Sequence, residues 1–241
     1  MGKKIISYSC WGRNKMYLCG LLENIKLAKV LFPGWIVRAY CASDLSPNIL
    51  KDAKDLGCEI VLKKPTLGFQ GLFWRLEVAD DPEVDRFIVR DTDSRLTKRD
   101  ALCVEEWINS DLPFHIIRDC ESHGAWILGA TFGMCNKFLV DHNITMKELI
   151  YDFWEDYYNS DRNDFQSDRG LGYGLDQEML SRKIWNLIDT CHLAHDEHFH
   201  FTGKERPFPY KREYLPDMSK AKEPYIGQVV NLEPKWSNYE L

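Results

Sequence analysis

The sequence predicts an α/β fold: a central, mostly parallel sheet flanked by helices, within a single domain. Three observations predict it. Apolar strand-like runs alternate with helical periodicities from Ile5 to Val89. Pro and Gly residues punctuate the joints between them. The chain has 241 residues, 44% of them hydrophobic, which suffices for one large core.

The elements follow in order. Ile5 to Ser9 reads as a strand. Leu18, Leu21, Leu22, Ile25, Ala28 and Leu31 recur at helical spacing and predict a helix from Met16 to Phe32. Pro33-Gly34 ends it, and Trp35 to Cys41 is the next strand. Ser46-Pro47 supplies an N-cap and a first-turn proline for a short helix that Gly57 closes. Cys58 to Leu62 is a third strand, Gly71 to Ala79 a helix, and Arg86 to Val89 a fourth strand. A βαβαβαβ order implies parallel strands joined by crossovers, with ligands bound beyond their carboxyl ends.

The second half is less regular. Lys98 to Asn109 and Met146 to Tyr158 predict helices, and Phe114 to Arg118 a strand. Trp126 to Met134 reads as a strand beside the site. Residues 159 to 173 read as a polar mobile loop, followed by a helix from Gly174 to Leu187 and a last strand from Thr190 to Ala194. Three stretches, 1–97, 98–200 and a C-terminal extension at 201–241, are expected within the one domain.

Bulk properties exclude several classes. A formal net charge of −6 argues against a general nucleic-acid binder. No run approaches the roughly 20 apolar residues that span a bilayer. The apolar stretch after Lys3-Lys4 is too short for a signal peptide, and Ile6 stands where a myristoylation signal needs Ser or Thr. The eight cysteines form no C-x-x-C pair and read as reduced core residues. A cytoplasmic protein is therefore expected, in the host cytoplasm if the chain is viral.

The chemistry concentrates in Arg90-Asp91-Thr92-Asp93-Ser94-Arg95, directly after the fourth strand. In extended chain, residues i and i+2 share a side, so Asp91 and Asp93 can aim at one point. Paired hard carboxylates suit Mn²⁺ or Mg²⁺, and such ions commonly carry phosphate oxygens as further ligands. Arg90 and Arg95 flank the pair and could hold phosphate bidentately. A D-x-D phosphatase would place the motif on its first strand and continue it with Gly-Thr or Thr-Val-like residues. Gly170-Leu171-Gly172-Tyr173-Gly174 lacks G-x-G-x-x-G spacing and follows no strand, so it is not read as a dinucleotide loop. The groups Trp154/Tyr157/Tyr158 and Phe199/Phe201 read as packing, whereas Trp126 reads as a sugar-stacking candidate.

Five segments resemble nucleotide-sugar glycosyltransferases of the GT-A fold, in a group found in bacteria and large DNA viruses. They are 33–40 (PGWIVRAY), 71–75 (GLFWR), 87–95 with the D-x-D, 127–130 (ILGA) and 173–177 (YGLDQ). The resemblance spans roughly residues 5 to 196 and leaves the C-terminal tail uncovered. It implies a metal-dependent transfer of a sugar from a nucleoside diphosphate donor, a UDP-sugar favoured, to a hydroxyl of a glycan or glycoconjugate acceptor. Asp91 and Asp93 would hold Mn²⁺ or Mg²⁺, with His195 as the third ligand. Ser7, Tyr8 and Ser9 would line the nucleotide, with Tyr8 stacking on the base. Arg75, Arg90 and Thr92 would complete the donor site. Asp176 would orient the acceptor hydroxyl or accept its proton. The rival class is a degenerate domain of the same fold that binds a nucleotide or glycan without catalysis.

Overall fold

The computed structural model describes residues 2–66, 68–160, 166–167, 170–171, 174–213 and 221–240. Its centre is a seven-stranded sheet in the order β3-β2-β1-β4-β6-β5-β9. The strands are β1 (Lys3–Cys10), β2 (Ile36–Ala42), β3 (Glu59–Lys63), β4 (Val84–Val89), β5 (Phe114–Arg118), β6 (Phe132–Cys135) and β9 (His192–Asp196). A separate two-residue ladder joins β7 (Gln166–Ser167) to β8 (Gly170–Leu171). Pairings β1·β2, β1·β4, β2·β3 and β5·β9 are parallel, while β6 runs antiparallel to β4 and β5. The expected mostly parallel sheet is what forms, and it runs unbroken through both halves of the chain.

The crossovers are helical. They are α1 (Lys15–Leu31), α2 (Pro47–Asp55) and α3 (Gly71–Trp74), the last continuing as a 3₁₀ turn over Arg75–Asp80. Asn14 and Ser46 cap α1 and α2 by accepting from the backbone N–H groups of Met16 and Asn48. Gly34 and Gly57 take positive φ of 80° and 85° where the chain leaves each helix. The second half adds α4 (Lys98–Asn109), α5 (Lys137–Asp141), α6 (Met146–Asn159), α7 (Leu175–Met179) and α8 (Trp185–Ile188). Thr145 and Glu148 form a reciprocal capping box at the start of α6.

The structure departs from the sequence reading in three places. The helix expected over residues 71–79 tightens to 3₁₀ geometry at Arg75. The helix expected over 174–187 contains a π segment at Leu180–Ile184. Of the strand expected from Trp126 to Met134, only Phe132–Cys135 pairs. Most of the loop expected at 159–173 lies outside the described residues.

Strands β1 and β4 are buried on both faces, as a central parallel pair requires. Phe87, Ile88, Val89, Ile5 and Ile6 are fully buried between the helical layers. Arg90, which ends β4, is also buried. Its Nε and Nη2 donate to both carboxylate oxygens of Asp100 at 2.9 and 2.6 Å, and Nη1 donates to the carbonyls of Val89 and Phe132. Every contact it makes is internal, so the expectation of Arg90 as a phosphate holder gives way to a structural role: it ties α4 to the end of β4. All eight cysteines are free thiols.

The C-terminal segment packs back on the first half. Lys15 Nζ donates to the Ser237 carbonyl, Lys235 pairs with Glu23, and Tyr239 Oη donates to Asp52. The Val230 N–H donates to the Asp93 carbonyl at 2.8 Å and so braces the D-x-D turn from behind.

Removing one partner of a buried pair strands the other's charge. Arg90→Met is therefore expected to lower unfolding free energy by about 3–5 kcal/mol, read from urea denaturation. Arg90→Met with Asp100→Leu should recover part of that loss. Unchanged stability in the single variant would refute the structural role.

Candidate active site

The site forms where β1 and β4 end side by side. Ser7 and Ser9 point to one face of β1 and Tyr8 to the other, by strand alternation. Ser7 Oγ donates to the Arg75 carbonyl at 2.7 Å, and the Arg75 N–H donates to Ser9 Oγ at 3.0 Å. The two serines therefore clamp the backbone of Arg75; that is where the structure places these two expected nucleotide contacts. The far end of the 3₁₀ turn is fixed as well, because the Asp80 carboxylate accepts from the first N–H groups of α6, Met146 and Lys147.

Arg75 is only 3% exposed. Its Nη1 donates to Asp91 Oδ1 and to the Arg90 carbonyl, and its Nη2 donates to Asp176 Oδ2 at 2.8 Å. Burial works against its charge, but the carboxylates of Asp91 and Asp176 outweigh burial and hold its pKa above the usual arginine value. One guanidinium thus joins the D-x-D turn to a residue 101 positions away in sequence. Asp176 lies in the first turn of α7, where a carboxylate also meets the helix dipole. It is buried beneath Gly129, whose hypothetical Cβ would fall 2.1 Å from Asp176 Oδ2, so only glycine fits there. Burial raises the Asp176 pKa, and Arg75 opposes that rise.

Asp91 lies near enough for its charge to act on the Asp93 carboxyl. Both are half-buried, and Asp91 is paired to Arg75. Burial, then the like charge of Asp91, pushes the Asp93 carboxyl from 3.8 up to about 6. Thr92 is buried, and its carbonyl sits against Gly20 of α1, where a Cβ would fall 2.0 Å away. Its carbonyl also accepts from Arg95 Nη1 at 3.2 Å, so Thr92 shapes the turn.

Asp91, Asp93 and Asp176 thus set three carboxylates around the single guanidinium of Arg75, and Asp93 is the member that Arg75 does not contact. A carboxyl pushed upward by burial and by a neighbouring carboxylate is what a divalent cation relieves, and hard oxygen donors match Mn²⁺ or Mg²⁺. The donor set therefore fits such an ion. Among the described residues no cluster of three or more His, Cys, Asp or Glu could enclose a metal, so the remaining ligands would come from water or a bound phosphate.

Two expected site residues lie elsewhere. His195 sits in β9, three strands from β4, and is fully buried. Its Nδ1 faces His115 Nε2 at 2.9 Å and its Nε2 faces Glu106 at 3.1 Å, so both ring nitrogens are engaged away from the aspartates. Burial lowers its pKa, against the pull of Glu106. It is corrected from third metal ligand to core histidine. Tyr8 is fully buried with an unpartnered hydroxyl, and offers no face to a nucleotide base. Trp11, two residues beyond Ser9, is the partly exposed aromatic at this strand end. It packs edge-on against Trp74 at 6.0 Å and lies over Gly71, where a Cβ would meet the indole at 2.6 Å. The small residue at Gly71 in front of Phe73-Trp74-Arg75 was the sequence signal for that contact.

No protein-family model matches the chain, and no curated protein matches it. Solved structures do. The glycosyltransferase GlyE of Streptococcus pneumoniae TIGR4 matches with 13% identity and a TM-score of 0.47 over 80% of this chain. The chain spans only 45% of GlyE's length. A glycosyltransferase involved in glycosylation of the major capsid of PBCV-1 matches with 13% identity and a TM-score of 0.46, over 80% of this chain and 81% of that one. A putative nucleotide-diphospho-sugar transferase of Desulfovibrio desulfuricans G20 matches with 12% identity and a TM-score of 0.43, over 76% and 77% of the two chains. Likeness at this level leaves the activity to be argued from the chain's own residues.

The raised Asp93 pKa has a signed consequence. The folded protein binds that proton more tightly than the unfolded chain, so Asp93 costs stability progressively as pH rises from 3.8 through about 6. Asp93→Asn is expected to gain in Tm relative to the metal-free parent across that window, with a constant difference above it. Thermal melts from about pH 4 to about pH 8 in chelator check this. A difference that does not widen with pH would mean that a cationic group already neutralises Asp93.

Proposed function

We propose that this chain is a metal-dependent glycosyltransferase that takes a nucleoside diphosphate sugar, a UDP-sugar favoured, as donor and a glycan or glycoconjugate hydroxyl as acceptor. The observation that carries the reading is the placing of two carboxylates, Asp91 and Asp93, just beyond the carboxyl end of central strand β4, with buried Arg75 bonded to Asp91. A diphosphate is the ligand that completes this charge arrangement, since it meets a cation and an arginine together.

Asp91 and Asp93 would hold Mn²⁺ or Mg²⁺, and when bound the ion supplies charge neutralisation to the leaving nucleoside diphosphate. Arg75 is the group positioned to share in that stabilisation, because two carboxylates hold its charge against burial and its backbone is fixed by Ser7 and Ser9. Trp11 takes the base-stacking part expected of Tyr8. Asp176 orients Arg75 in the resting protein. Its expected part toward the acceptor hydroxyl, as orienting group or proton acceptor, requires the contact beneath Gly129 to open.

A thermal-shift screen of nucleoside diphosphate sugars with and without Mn²⁺ tests the reading. A UDP-sugar should raise Tm in the presence of Mn²⁺ by mass action, and Asp91→Asn or Asp93→Asn should abolish that rise. A shift that is independent of Mn²⁺ and survives in both variants would overturn it. For the matching acceptor, Asp176→Asn should lower turnover on the order of 100-fold while donor affinity changes little. Unchanged turnover would remove Asp176 from the reaction.

A further inference from the structure

The D-x-D turn is held carbonyl by carbonyl. The Asp91 carbonyl accepts from Ser94 Oγ at 3.0 Å, and the Thr92 carbonyl from Arg95 Nη1 at 3.2 Å. The Ser94 carbonyl accepts from Arg95 Nη1 and from Asn24 Nδ2 of α1, at 3.0 and 2.8 Å. Those donors belong to the turn itself or to the helix behind it. The Asp93 carbonyl differs, because its donor is the Val230 N–H of the C-terminal segment. Among the described residues, the backbone of Asp93 is therefore fixed by a stretch of chain far away in sequence.

A hydrogen bond positions its acceptor only as well as its donor is held. Val230 is held from Ile226. The Ile226 N–H donates to Asp119 Oδ2 at 3.0 Å, and Asp119 is buried directly after β5. Both Asp119 oxygens also accept from Arg99 in the first turn of α4, at 3.0 and 2.8 Å. The Ile226 side chain is itself buried with Cys103, Ile117 and Phe208. Between Ile226 and Val230 the chain closes on itself: the Gln228 N–H donates to the Tyr225 carbonyl at 3.0 Å, and Gln228 Oε1 accepts from the Tyr225 N–H at 3.1 Å.

These contacts make a closed circuit. Helix α4 starts where the D-x-D turn ends, its Arg99 grips Asp119, Asp119 grips Ile226, and the chain returns through Val230 to Asp93. Loosening Asp119 therefore loosens the donor that fixes the backbone beneath the Asp93 carboxylate. A metal site tolerates only about 0.2 Å in its ligand distances, so a small shift of that backbone bears on cation affinity.

We propose that the Tyr225–Val230 turn, pinned by Asp119, is a positioning element for Asp93 and sets the affinity of the Asp91/Asp93 pair for a divalent cation. The proposal rests on the metal-dependent reading above and adds to it two positioning residues, Asp119 and Val230, that act through Asp93.

Calorimetry of UDP binding in Mn²⁺, together with paramagnetic-resonance titration of Mn²⁺ itself, tests this in the full chain. Val230→Pro deletes the N–H and should weaken Mn²⁺-dependent UDP binding at least about fivefold. Val230→Ala keeps the N–H and should bind as the parent does. Asp119→Asn should weaken binding by a similar factor. The double variant Asp119→Asn/Val230→Pro should be no weaker than the worse single one, since both break one circuit. Should Asp119→Asn fail to fold because Arg99 is left short of a charge, the Val230 pair decides alone. A purely structural role would lower Tm in these variants and leave the affinity for Mn²⁺ and UDP unchanged, and that result would overturn the proposal. Equal weakening in Val230→Ala and Val230→Pro would overturn it too, since side-chain packing and not the N–H would then be responsible. A parent without Mn²⁺-promoted UDP binding brings down the metal-dependent reading and this proposal together, whereas equal Mn²⁺-dependent affinity in all the proteins brings down this proposal alone.

Discussion

The buried guanidinium of Arg75 is the constraint on which the site depends. It bonds both the D-x-D turn after β4 and the first turn of α7. A charge taken out of water is tolerated only when its partners are fixed, and here they are. Ser7 and Ser9 hold the Arg75 backbone, Asp80 anchors the far end of the same turn to α6, and Gly129 closes over Asp176. The tightening from α to 3₁₀ geometry at Arg75 belongs to this clamp, since the serines of β1 engage both its N–H and its carbonyl.

The second constraint is electrostatic. Arg75 satisfies Asp91 and Asp176 but leaves Asp93 beside a like charge and partly desolvated. A fold that merely needed a stable turn would place a hydroxyl or amide there. The turn is nevertheless strongly supported, by Gly20 of α1 against the Thr92 carbonyl, by Arg95 from within and by the Val230 N–H from the C-terminal segment. Rigid support around two neighbouring carboxylates, only one of which Arg75 bonds, is what the proposed cation site needs.

Local pattern made the first half legible. The strands through β4, the caps at Ser46-Pro47 and the D-x-D at a strand end all follow from periodicity and turn chemistry. Asp176 was legible as a first-turn carboxylate. Its pairing with Arg75 was not, because a contact across 101 residues leaves no trace in spacing. Arg90 and His195 illustrate the opposite failure. Both are polar residues beside chemistry-rich segments, and both are consumed internally, by Asp100 and by His115 with Glu106. Their partners set them apart, since Arg75 is as buried as Arg90 but bonds Asp91 of the D-x-D turn. Tyr8 fails for a simpler reason, since strand alternation turns it to the face opposite Ser7 and Ser9. The antiparallel direction of β6 and the packing of the C-terminal segment were unreadable because neither carries a pairing signature of its own.

The central claim is that Asp91 and Asp93 share one divalent cation bearing a diphosphate. An anomalous-difference map from crystals grown with Mn²⁺ and UDP, collected at the manganese edge, tests it most directly. The account requires a peak between the Asp91 and Asp93 carboxylates, with diphosphate oxygens completing the coordination. A map with UDP bound and no manganese between those two carboxylates, or with manganese held at another cluster, would contradict it.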